Sequence, residues 1–175
     1  MTLRWLAIAL LVLPMLGQAN GYDQIRYLDN DTFLQLGFAG QPYRGRLLIL
    51  NKPLREKVET IMQRNWPAAR LRYWQSGSRT AWIVDEIGKD LPITIGVVVG
   101  SDGIKQVRIL VYREPRGGEV HEEFFTRQFN GLTLSDQQLS GEIDNITGAT
   151  LSVEAVTRTS ILALALHQHV MAGPT

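Results

Sequence analysis

The stretch Asp144-Asn145-Ile146-Thr147-Gly148-Ala149-Thr150-Leu151-Ser152 is the one best suited to chemistry. It reads as a loop entering a helix, with glycine and alanine clearing space around two threonine hydroxyls. Backbone N–H groups at a helix start have no acceptor within the helix and point outward, which favours a phosphate. Thr150 would place its hydroxyl beside that phosphate. Spacing alone favours a plainer role, in which Thr147 or Thr150 is simply the N-cap of the helix.

Other candidates carry less. His121, His167 and His169 are the only histidines. His167 and His169 lie two residues apart on a predicted helix and point to different faces, which argues against metal or haem ligation. Glu122-Glu123 and Asp85-Glu86 read as solvated acids. Ser152 has no nucleophile-elbow context and no Ser-His-Asp pattern surrounds it, so no catalytic residue is assigned.

The elements that must position the Thr147–Thr150 segment follow from pattern. Asp29-Asn30-Asp31 before Phe33, Leu34 and Leu36 predicts a short capped helix ending near Gly37 or Gly40. Leu47 to Leu50 reads as a short buried strand. Asn51 and Pro53 open an amphipathic helix over 53–64, with Leu54, Val58, Ile61 and Met62 on one face and Trp66-Pro67 as its stop. Residues 71–74 and 81–87 read as strands around Gln75-Ser76-Gly77-Ser78. Pro92 to Val99 and 104–112 form a hairpin about Ser101-Asp102-Gly103.

Glu114-Pro115-Arg116-Gly117-Gly118 is a loop with special backbone angles, and Phe124, Phe125 and Phe129 follow it. Residues 132–146 read as loop with short turns. Leu151, Ala155, Val156, Thr159, Leu162, Ala163, Leu166 and Val170 form one stripe, predicting a long helix over 151–170 closed by Gly173-Pro174. The fold class expected is α+β: a single domain with central antiparallel strands, a hairpin and a long C-terminal amphipathic helix.

Composition narrows the function. The 175 residues include 45% apolar and 20% charged side chains, within the globular range. There are 18 basic and 17 acidic residues, so the basic excess of a nucleic-acid binder is missing. The absence of cysteine excludes disulfides, thiolate metal sites, iron–sulfur clusters, covalent c-type haem and thiol catalysis. Arg4, an apolar run from Trp5 to Leu16, and Gly17-Gln18-Ala19 together read as a secretory signal peptide over 1–19. That run is too short to span a bilayer. An extracytoplasmic location, periplasmic or equivalent, is expected. The rest divides into an N-terminal helix and strand portion, 20–79, and a portion over 80–170 that carries the candidate site.

Asp144-x-x-Thr147-Gly148-Ala149-Thr150 resembles the flavinylation motif of the FMN-binding domain family, whose members include the Rnf complex G subunit and the C subunit of sodium-translocating NADH:quinone reductase. The motif is Asp, two variable residues, Ser or Thr, Gly, Ala, then Ser or Thr, and every fixed position is met. The hairpin over 92–112, the loop after it and the Phe124–Gly131 segment are similar to the same domain, over about 80–166. This chain reads Glu114-Pro115-Arg116-Gly117 where members commonly read Glu-Thr-Pro-Gly.

The resemblance implies FMN attached covalently by a phosphoester to Thr150, placed there from FAD by a separate flavin transferase that reads Asp144, Thr147, Gly148 and Ala149. It further implies that Glu114, Gly117 and Gly118 bind the flavin, and that Tyr112, Phe124, Phe125, Phe129 and Arg116 are candidates to line the slot or adjust the ring. The function implied is electron relay between a membrane-bound redox partner and an extracytoplasmic acceptor, rather than self-sufficient catalysis. A non-redox secreted binding module, with Thr147 and Thr150 only capping the helix, is the alternative.

Overall fold

The computed structural model describes residues 24–173. The proposed signal segment, 1–19, lies outside them. A six-stranded antiparallel sheet dominates, built from β1 (Ile25–Arg26), β2 (Arg44–Ile49), β3 (Arg70–Ser76), β4 (Arg79–Ile87), β5 (Pro92–Gly100) and β6 (Gly103–Tyr112). The spatial order is β1-β6-β5-β4-β3-β2. Both halves of the chain share this sheet, because the β3–β4 hairpin pairs Ser76 with Arg79.

Helices cover both faces of the central strands. On one face lie α2 (Lys52–Met62) and the long α4 (Thr150–Met171), enclosing a large apolar core that includes Trp82, Ile95, Val97, Val107, Val156 and Leu162. On the other lies α1 (Asn30–Gly37), whose Phe33 ring packs directly on Gly96. A smaller core there joins Phe33, Leu34 and Phe38 to Ala81, Val98, Leu110 and Val111. Strand β5 is buried from Ile93 onward on both faces, which explains its unbroken Ile-Thr-Ile and Val-Val-Val runs rather than an alternating pattern.

Local chemistry sets the helix starts. Asp29 caps α1 through Oδ1, which accepts from Thr32 N at 2.9 Å. Asn51 caps α2 by accepting from Leu54 N at 3.1 Å. Helix α2 ends at Met62, before Trp66-Pro67, because Gln63 turns left-handed with φ 54°.

Two expectations need correction. The strand read as buried over Leu47–Leu50 is mostly the exposed edge of the sheet: Leu47 is 56% and Ile49 70% exposed, Leu48 packs partly on the main core, and only Leu50, just past the strand's end, is buried in it. Apolar content there reflects strand propensity at an edge that the helices do not cover. The segment 132–146 contains a small hairpin, β7 (Leu134–Ser135) with β8 (Gln138–Leu139). Its turn residues Asp136 and Gln137 both have positive φ, the type I′ pattern. Between β6 and β7 the chain forms α3 (Glu123–Thr126) and single 3₁₀ turns at Gly118–His121 and Arg127–Phe129.

Candidate flavin site

The end of β6, the loop that follows it and the start of α4 meet at one end of the sheet. Thr150 is the first residue of α4 and is exposed; Ala149 occupies the cap position and is buried. No side chain caps this helix. The amides of Thr150, Leu151 and Ser152 have no hydrogen-bond acceptor among the described residues; the first amide bonded back to the cap is that of Val153, to Ala149 O at 2.9 Å. The cap role considered for Thr147 and Thr150 is therefore not what either hydroxyl does. Thr150 lies one position too far along the chain, and its Oγ1 instead accepts from Asn145 Nδ2 at 3.0 Å.

Gly148 supports this opening. Its φ is +84°, and a methyl group added to it would meet nothing within 4 Å. Glycine at this position supplies a left-handed backbone next to open space. Gly117 has the opposite surroundings. Its φ is +83°, and an added Cβ would lie 2.9 Å from Tyr112 Oη and 3.2 Å from Ala149 Cβ. The loop thus packs backbone against helix start, which only glycine allows.

Tyr112 and Ser152 fasten that contact. The Tyr112 hydroxyl donates to Arg116 O at 2.5 Å, so its 2.9 Å contact with Ser152 Oγ is a bond it accepts. Burial pushes the Tyr112 hydroxyl above its ordinary range, with the Glu114 and Glu119 charges adding to the effect and the Ser152 bond opposing it. The hydroxyl stays protonated. Glu114 is buried, and its Oε1 accepts from three successive amides, Lys89 N (2.7 Å), Asp90 N (2.6 Å) and Leu91 N (2.8 Å). The β4–β5 turn is folded around this carboxylate.

Two hollows share Pro115, Arg116 and Gly148 in their linings. One, of about 390 Å³, is lined by Thr150, Ser152, Lys89, Asp90, Glu114 and Arg116. The other, of about 560 Å³, is lined by Thr147, Gly148, Gly118, Glu119, His121 and Tyr27, among others. Tyr27 and His121 stack face to face at its wall, with ring centroids 3.9 Å apart and planes within 4°. His121 Nδ1 contacts Gly118 O at 2.6 Å.

The residues singled out from sequence are therefore mostly brought together. Thr147, Gly148, Ala149, Thr150, Glu114, Gly117 and Gly118 all border one or both hollows or the seam between them. Asp144 is exposed at the edge of the loop, with its amide donating to Gln128 Oε1 at 2.8 Å. The aromatic candidates divide. Phe125 and Phe129 are wholly buried as an edge-to-face pair, Phe124 is exposed, and neither hollow has any of the three in its lining. The aromatic rings in the lining of the larger hollow are instead Tyr27 and His121. Nothing in sequence spacing links them; pairing of β1 with the end of β6 places Tyr27 beside the loop.

Residues 88–165 match the model of the FMN-binding domain family. The chain carries an FMN-binding domain. No curated protein matches the chain. The matched span runs from the β4–β5 turn to the penultimate turns of α4 and contains the whole of the motif from Asp144 to Thr150. The domain type supports FMN as the cofactor, and the site fits one. The unpaired amides at the start of α4, with Lys89 and Arg116 beside them, suit a phosphate. The adjoining hollows offer room and an aromatic wall for a ring system. Among the described residues no cluster of His, Asp or Glu has the makings of a metal site.

Proposed function

We propose that this protein is an exported electron-transfer flavoprotein that holds FMN through a phosphoester on Thr150. The observation that carries this reading is the state of Thr150. It is exposed, it caps nothing, it stands at the head of three unpaired amides, and it lies at the last position of a complete flavinylation motif within the matched domain. A threonine that only served the helix would be expected one residue earlier, accepting from an amide of the first turn.

The chain's residues then have separable roles. Thr150 is the tether. The amides of Thr150, Leu151 and Ser152 face the phosphate, and Gly148 keeps the approach clear. The Tyr112–Ser152 bond holds the Gly117 loop against the helix, and Glu114 fixes the β4–β5 turn that brings Lys89 to the rim. Asp144, exposed and bonded only through its backbone among the described residues, is available for recognition by the flavin transferase. FMN when bound supplies one- and two-electron transfer. A covalent tether relieves the pocket of retaining the flavin by contacts alone, so one edge can stay open to a redox partner. The partners proposed are a membrane-bound redox protein on one side and an extracytoplasmic acceptor on the other. Signal-peptide cleavage after Ala19 and an extracytoplasmic location belong to the same reading.

The test is the intact mass of the protein co-expressed with a flavin transferase in a periplasm. The expected result is a gain of one FMN less water, absent from Thr150→Ala. An unmodified wild-type protein beside a labelled control substrate would overturn the proposal, and so would covalent flavin on Thr150→Ala.

A further inference from the structure

The Thr150 hydroxyl has a hydrogen-bond partner within its own loop. Asn145 Nδ2 donates to Thr150 Oγ1 at 3.0 Å, across a loop that leaves both residues exposed. The amide of Asn145 is itself oriented, because its Oδ1 accepts from Ile146 N at 2.9 Å. That second bond decides which end of the side chain faces Thr150: the oxygen is engaged by the backbone, and the N–H₂ is aimed at the hydroxyl. Asn145 stands at a variable position of the motif, so its type is a feature of this chain and not of the pattern.

We infer that Asn145 is a positioning residue for the covalent attachment of FMN. The inference rests on the reading of Thr150 as the flavin acceptor. In that reaction Thr150 Oγ1 forms a bond to the phosphorus of the flavin half of FAD. The anhydride P–O bond to the adenylate half breaks, AMP leaves, and the hydroxyl proton passes to a base of the transferase or to solvent. The donor from Asn145 occupies one lone pair of Oγ1 and sets its χ1 rotamer, leaving the other lone pair to attack and the O–H to be deprotonated. The same N–H₂ then lies beside the phosphate that arrives, where a hydrogen-bond donor is favourable and a carboxylate is not.

This gives a discriminating pair of variants. Asn145→Asp keeps an acceptor for Ile146 N, so it preserves any purely structural role in shaping the loop. It replaces the donor to Thr150 with a negative charge. Asn145→Ala removes both bonds. A structural role predicts that Asn145→Asp behaves as wild type and Asn145→Ala is impaired. A positioning role predicts that both are slowed, Asn145→Asp the more.

The experiment is a time course of FMN incorporation into the full chain by purified flavin transferase with FAD, read by intact mass and by in-gel flavin fluorescence, with thermal melts alongside. Loss of the bond to Thr150 is expected to slow labelling of Asn145→Ala by about tenfold. Asn145→Asp is expected to be slower again, with the melting temperatures of all three proteins together because Asn145 is exposed. Wild-type labelling with Asn145→Asp proceeding at the wild-type rate would overturn the positioning role while leaving the acceptor assignment intact. Failure of the wild type itself to label, with the transferase active on a control substrate, would overturn both.

Discussion

The two ends of α4 handle polar groups in opposite ways. At its start, three amides and the Thr150 hydroxyl face outward, and no capping side chain satisfies the amides. Near its other end, His167 is buried and tied into a polar cluster: Thr80 Oγ1 accepts from Trp82 Nε1 at 3.0 Å and meets His167 Nδ1 at 2.8 Å. The Thr80 hydroxyl thus links the Trp82 indole to the His167 imidazole. A buried, hydrogen-bonded polar cluster stabilises one packing arrangement. An exposed helix start with unmet donors adds little stability and keeps its capacity for a ligand. One helix therefore carries both a structural anchor and a binding terminus.

The largest expected effect breaks the binding end and leaves the anchor untouched. Thr150→Ala should lose all covalent flavin while its stability changes by no more than about 0.5 kcal/mol, since an exposed residue that caps nothing is being truncated. Urea unfolding of the unlabelled proteins checks the second half; a loss of about 1 kcal/mol or more would restore the capping role. Asp144→Ala belongs to the same end and should lower the rate of flavin attachment without changing the unfolding midpoint. Normal labelling of that variant would remove Asp144 from the recognition surface.

The converse experiment breaks the anchor. Thr80→Val keeps the shape but strands the Trp82 N–H and removes the partner of His167 Nδ1. Burial of unmet polar groups should cost about 2 kcal/mol. Flavin attachment to Thr150 should be unaffected under conditions where the variant is folded. Equal labelling with a lowered midpoint of denaturation would confirm that the two ends of α4 act separately; a joint loss of both would show them coupled through the helix.

The same contrast explains what could be read from the sequence. The caps Asp29 and Asn51, the β5–β6 hairpin and the stripe along α4 were legible because each is set by near neighbours in the chain. The motif from Asp144 to Thr150 was legible for the same reason, since a loop-to-helix junction is a local structure. Glu114 was picked out as a flavin contact, but its three bonds to Lys89, Asp90 and Leu91 depend on pairing between strands. Tyr27 and His121 come from distant segments and meet only because β1 joins the sheet edge. The exposure of Leu47 and Ile49 was equally hidden, as apolar residues read alike at an edge and at the centre of a sheet. The contact of His167 with Thr80 has no local signal, because 87 residues of chain separate the two.

Acid sharpens the comparison from the anchor side. Burial lowers the pKa of His167 below its ordinary 6.5. A base whose folded pKa is depressed takes up its proton more readily when unfolded, so stability is full above about pH 6.5 and declines as the pH falls below it. The decline for one such group approaches about 1.4 kcal/mol per pH unit until the folded pKa is reached. Chemical denaturation between pH 7.5 and 5, against a His167→Gln variant, isolates this contribution. The variant should flatten the curve in that window. An unchanged slope would mean that His167 is not the group responsible.

The smallest effect tests the support of the binding end itself. Tyr112→Phe removes the hydroxyl that joins Arg116 O to Ser152 Oγ. The ring remains buried, so the apolar packing of Tyr112 is kept. The two groups left behind differ from those at Thr80. Arg116 is exposed and its carbonyl can turn to water, while Ser152 can rotate its hydroxyl toward an acceptor on its own helix. The loss should be about 1 kcal/mol, below that of Thr80→Val, because neither stranded group stays both buried and unmet. The loop bearing Gly117 should loosen from Ala149, and hydrogen exchange at the amides of 116–118 should quicken relative to the core strands. Unchanged exchange there would show that glycine packing alone holds the loop to the helix.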